Sequence, residues 1–104
     1  MRFLITAKFP NDHGNKVTAD PQFGEKIQRL IADMKPEAVY FGPVEGKRAF
    51  RIFVNFDDPS LIPAYAEPLF RWLHADVEIS PVFNLEDMKK AGPSILDSVK
   101  KWSS

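Results

Sequence analysis

The sequence predicts a single α+β domain over residues 1–104: a ferredoxin-like βαββαβ antiparallel sheet with helices on one face and an extra C-terminal helical segment. Three observations lead there. Residues alternate with period two, apolar against mixed, at Arg2–Phe9 and again at Ala49–Phe56, the pattern of strands with two different faces. An apolar stripe at helical spacing follows each of these strands. Pro43 and Pro81 fall in the other two strand candidates. Proline has no N–H to give a ladder, so those two belong at the edges and the first and third strands in the centre.

Composition sets the bounds. A chain of 104 residues that is 44% hydrophobic and 12% aromatic has enough apolar surface to fold around one core and is too short for a second domain. Its formal net charge is zero, so no overall field draws it to nucleic acid or an anionic membrane, and near-zero charge favours self-association. It has no cysteine, which excludes disulfides, a thiolate nucleophile and a cysteine zinc site. The apolar start, Phe3 to Ile5, is too short for a signal-peptide core, and no run of about 18 apolar residues occurs. A cytoplasmic protein without membrane or nucleic-acid partners is expected.

The first strand, RFLITAKF, sets Phe3, Ile5, Ala7 and Phe9 against Arg2, Leu4, Thr6 and Lys8, and Pro10 stops it. Asn11 to Lys16, NDHGNK, gathers turn formers without periodicity and reads as an exposed loop near the mouth of the sheet. Asp20 as N-cap and Pro21 at the first helical position open a helix. Phe23, Ile27, Leu30, Ile31 and Met34 form its apolar stripe, and Pro36 ends it. From Val39 to Phe56 two strands meet at a tight turn of Glu45 and Gly46, with Pro43 inside the first strand. In the second, Phe50, Ile52, Val54 and Phe56 alternate with Ala49, Arg51, Phe53 and Asn55.

Asp58 or Ser60 caps a second helix that runs to about His74, with Leu61, Ile62, Tyr65, Leu69, Trp72 and Leu73 toward the core. Pro68 removes the bond to the Ala64 carbonyl and is expected to kink or split it. Asp76–Phe83 is the fourth strand, with Val77 and Ile79 inward. The core thus spans about residues 1–83 and the C-terminal extension 84–104. In that extension Asn84 caps a short helix, LEDMKKA, that Gly92 and Pro93 terminate. A separate tail carries an S-x-x-D box at Ser94 and Asp97 and a stripe of Ile95, Leu96, Val99 and Trp102. So short a helix needs docking, on its own domain or on a neighbour's.

With both helices on one face, the other is left open. It would show Leu4, Thr6, Lys8, Arg51, Phe53, Asn55, Glu78, Ser80 and one or both of Tyr40 and Phe41. A face with Leu4 and Phe53 at its centre marks a contact surface or a cavity, and two such sheets facing each other would satisfy both copies, so a homodimer is expected.

The candidate ligand-binding residues are Thr6, Lys8, Tyr40, Arg51, Phe53, Asn55 and Glu78. They suit a small organic anion or aromatic that the Arg51 guanidinium holds by two parallel bonds. The plainer reading is that Arg51 and Glu78 pair across the sheet or across a dimer. His13, beside Asp12, and Glu78, if burial raises its pKa, are the candidate catalytic residues. His74, at a helix end, is accounted for by the helix dipole. Two histidines and no cysteine give no basis for a metal, and no motif calls for a cofactor. The segment FVNF echoes an RNA-recognition strand, but AFRI before it lacks the basic-glycine-aromatic opening, which counts against that module.

The span from Tyr40 to Ala91, YFGPVEGKRAFRIFVNFDDPSLIPAYAEPLF followed by VEISPVFNLEDMKKA, resembles small bacterial proteins of the dimeric α+β barrel superfamily. The likeness rests on the strand from Gly46 and Arg48 to Val54, the helix after Asp57, Asp58 and Pro59, and the strand Val77 to Val82 followed by a helix at Glu86 and Asp87. It implies a homodimer whose facing sheets enclose a small-molecule cavity. Fold relatives in that superfamily include muconolactone isomerases, cofactor-free monooxygenases of antibiotic biosynthesis and haem-degrading enzymes. None of their catalytic motifs matches here residue by residue, so no catalytic role is carried over. A cofactor-independent monooxygenase or isomerase is the alternative function the resemblance implies, and a ligand-sensing regulatory module a further one.

Overall fold

Alternation decides where the core lies. A computed structural model, in which residues 1–103 are described, places β1 (Arg2–Phe9) beside β3 (Arg48–Asn55), in the register Phe3 opposite Val54, Ile5 opposite Ile52 and Ala7 opposite Phe50. The flanking strands are β2 (Ala38–Phe41) and β4 (Asp76–Pro81). All neighbours are antiparallel in the order β2-β3-β1-β4. Among the described residues four α-helices complete an α+β architecture compatible with a ferredoxin-like fold: α1 (Asn11–Thr18), α2 (Phe23–Met34), α3 (Ile62–Leu73) and α4 (Leu85–Trp102).

Ile5, Ala7, Ile52 and Val54 are fully buried with Leu69 and Leu73 of α3, and Met34 and Ile27 of α2 close the same layer. Phe56 is stacked on both sides, by Phe3 at a centroid distance of 4.4 Å and by Tyr65 at 4.9 Å. Such contacts add to the area term that drives burial.

Local chemistry sets the element ends, in several places differently from the sequence expectation. Asp20 does not cap a helix beginning at Pro21. Its carboxylate accepts from the Gln22 N–H at 2.9 Å and from Lys26 Nζ at 3.2 Å, which holds Pro21 and Gln22 in a turn and delays α2 to Phe23. Lys35, left-handed at φ 49°, ends α2. Pro43 lies beyond the end of β2, outside the ladder, and β4 stops at Pro81 rather than Phe83. Asp58 accepts from the Ser60 N–H at 2.9 Å and starts the 3-10 turn Pro59–Leu61 that leads into α3. Pro68 does not split α3, which runs unbroken from Ile62 to Leu73.

Two segments depart further. Asn11–Lys16, expected as an exposed loop, is the body of α1. Tertiary contact makes the helix: Gly14 is buried so tightly on Phe9 that a Cβ there would sit 3.3 Å from the ring, and Val17 packs on the core.

The C-terminal extension is one helix, not two. Asn84 and Asp87 form a reciprocal capping box at 2.9 and 3.1 Å, and α4 passes through Pro93 to Trp102. Pro93 leaves the Lys89 carbonyl without its helical N–H partner, and the helix continues past it as α3 does past Pro68. The Ser94–Asp97 box is not a cap, since Ser94 Oγ donates back to the Ala91 carbonyl and Asp97 pairs with Lys101. None of α4 is buried. Among the described residues no helix is long and apolar enough to cross a membrane.

Candidate functional site

Residues opposite each other in an antiparallel ladder share a face, so the register lays out the open face in rows. Tyr40, Arg51, Thr6 and Glu78 form one row across β2, β3, β1 and β4. Ala38, Phe53, Leu4 and Ser80 form the next, and Ala49, Lys8 and Asp76 a third. Phe41 is not on this face. It lies opposite Phe50 and belongs to the helical side, 5.6 Å from that ring. Leu4 and Phe53 are half-covered and Tyr40 is 64% exposed.

Charge is distributed unevenly along the face. At one end Arg2 Nε donates to Glu37 Oε2 at 2.7 Å and Asn55 Nδ2 to Glu37 Oε1 at 3.3 Å, while the N-terminal ammonium donates to Asn55 Oδ1 at 2.9 Å. The Arg2 guanidinium, with help from Asn55, holds the Glu37 carboxyl below its ordinary value. The Asn55 amide is therefore committed to structure. At the other end Lys8 reaches Glu45 of the hairpin turn at 3.4 Å, beside Asp76 and Glu78.

The middle row stays uncommitted. Among the described residues no side-chain hydrogen bond or ion pair engages Thr6, Tyr40, Arg51 or Glu78. Arg51 and Glu78 do not pair with each other, because β1 separates their strands and places them roughly 10 Å apart.

The two candidate catalytic residues are not brought together. His13 sits on α1 in the helical layer, its ring stacked on His74 with centroids 3.5 Å apart and its Nε2 bonded to the Trp72 carbonyl at 2.8 Å. Glu78 lies on the open face. Among the described residues no group of acidic, histidine or cysteine side chains has the spacing to hold a metal ion.

No protein-family model and no curated protein matches the chain.

Sequence reading missed the larger concavities, which lie on the helical side. One of about 680 Å³ opens where the hairpin runs past α1 and α2, floored by Phe9, Phe41 and Phe50 with Asn15 and Arg48 at the rim. A second, of about 510 Å³, lies between α2 and α3. The signal was available for the first: Phe9 and Arg48 are ladder partners at the covered face's end, where the hairpin runs on past α1 and α2. The open face alone carries a depression of about 60 Å³, lined by Thr6, Lys8 and Glu78, too small for a drug-sized ligand.

Proposed function

We propose that the chain acts as a homodimer whose open sheet faces close on each other over a small-molecule cavity, in the manner of a dimeric α+β barrel. One observation carries the reading: among the described residues Arg51 and Glu78 stand unpaired in one row, on opposite sides of β1. A two-fold axis running along β1 between two facing sheets brings Arg51 of each copy over Glu78 of the other, the self-complementarity an isologous contact needs. Sheets pack about 10 Å apart, a gap that an arginine and a glutamate together span. The face measures roughly 19 Å across four strands and about 26 Å along the central ones. With the axis on β1, only β3, β1 and β4 of each copy overlap, roughly 14 Å by about 26 Å, so two copies bury on the order of 700 Å², the scale of a weak, transient contact.

Leu4 and Phe53 supply the apolar walls, and Tyr40, Thr6 and Arg51 the polar groups for a small aromatic or organic anion. A second reading, cofactor-independent isomerase or oxygenase chemistry in the same space, draws on Glu78 beside Lys8 as an acid-base pair.

Light scattering tests the dimer. Arg51→Glu and Glu78→Arg each place like charges in apposition and should give a smaller light-scattering mass than the parent, whereas the double exchange should restore the parent's mass. A parent chain that is monomeric at high micromolar concentration, or single variants that dimerise as well as the parent, would overturn the proposal. Benzoate serves as a probe of the cavity: it should raise the parent's melting temperature and leave that of Arg51→Ala unmoved.

A further inference from the structure

Along α4 the residues Leu85, Met88, Gly92, Ile95, Val99 and Trp102 recur at alternating steps of three and four. That period of 3.5 is the seam of a helix meant to lie along another helix, whereas a helix resting on a globular core repeats nearer 3.6. The seam is in water: Leu85 is 73% exposed, Met88 44%, Ile95 48%, Val99 51% and Trp102 83%. A helix of this length is marginal alone, and an internal glycine and proline weaken it further, so α4 needs a cover its own domain does not give.

We propose that the cover is α4 of a second copy, packed antiparallel. Turning the helix end for end sets Leu85 level with Trp102, Met88 with Val99 and Gly92 with Ile95, so every layer closes in one register. The small side meets the large one at the middle layer, and Ala91 and Ser98 beside the seam let the backbones approach. In the same register Glu86 and Asp87 of one helix lie level with Lys100 and Lys101 of the other. Acidic N-terminus meets basic C-terminus, as the opposed helix dipoles also favour. Parallel pairing would set like charges level and leave Gly92 facing Gly92 across a gap. Pro93 is off the seam, so its missing N–H does not disturb the contact. The pattern complements itself, which is what singles out a second copy of this chain as the partner.

Disulfide trapping tests this cleanly in a chain without cysteine. Met88→Cys and Val99→Cys single variants, mixed and oxidised, should give a band of twice the chain mass on a denaturing gel, as should the double variant. Neither single variant alone should give it, because like positions then lie roughly 16 Å apart, beyond the ~7 Å limit for a disulfide. Adding Ile95→Asp to the double variant should abolish the band. Cross-linking by either single variant alone, no band from the mixture, or a band indifferent to Ile95→Asp each overturns the proposal. The trap reads α4 only, so failure here and failure of the sheet-face dimer give different results.

Discussion

His13 and His74 lie ring on ring, with centroids 3.5 Å apart and planes within 8° of parallel. The first belongs to a helix that local propensity does not support, and the second is the left-handed residue, φ 53°, that ends α3. His13 also donates to the Trp72 carbonyl at 2.8 Å, one of the last carbonyls of α3, which have no partner within the helix. The pair therefore clamps α1 to the end of α3. We expect His13→Ala to lower unfolding free energy by about 1–2 kcal/mol, combining a lost hydrogen bond with a lost stack. A double-mutant cycle with His74→Ala should return a coupling of about 0.5–1.5 kcal/mol; additive effects in urea denaturation would refute the clamp.

Glu45 and Gly46 both have positive φ, 52° and 76°, between Val44 and Lys47, which pair as an isolated bridge. A two-residue hairpin of this kind matches the twist of its strands only with both central residues left-handed. Gly46→Val should cost about 1–2 kcal/mol, the penalty of a Cβ in that conformation. Glu45→Asn should instead stabilise the hairpin, because asparagine tolerates it better. Thermal melts that rank the two variants the other way would contradict this assignment.

The Arg2–Glu37 pair predicts the sign of the acid response. Glu37 takes up its proton below its ordinary value of 4.5 in the folded chain, held there by the Arg2 and Asn55 hydrogen bonds. Asp20 and Asp58 likewise sit below 3.8, chiefly through the backbone N–H groups of Gln22 and Ser60. The unfolded chain thus binds protons first as pH falls. The stabilisation is whole above roughly pH 5.5 and disappears as pH drops through these lowered values. Denaturant midpoints should decline across that window, and Glu37→Gln should decline less steeply than the parent. Equal slopes would show that the pair contributes nothing.

Strong period-two alternation made β1 and β3 legible, together with the face each residue takes, so Arg51, Phe53, Thr6 and Glu78 were assigned to one surface from the sequence. Their availability was not legible. Asn55 is tied up by Glu37 and the N-terminus, and Lys8 by Glu45, partners that lie far off in the chain. The α1 segment was hidden because its residues are turn formers, and only contact with Phe9 and His74 makes them helical. Reading Gly92–Pro93 as a stop failed because a helix can continue past an interior proline at the loss of one backbone hydrogen bond, as α3 also does at Pro68.

The outstretched α4 has a hydrodynamic consequence. The chain measures 58 Å by 27 Å by 22 Å, with a radius of gyration of 17.6 Å, against about 13 Å for a compact domain of this length. A lone copy diffuses slowly for its 11.9 kDa and leaves a gel-filtration column early, in the position of a heavier sphere. Pairing that folds the two arms together would raise the mass while shrinking the drag per copy.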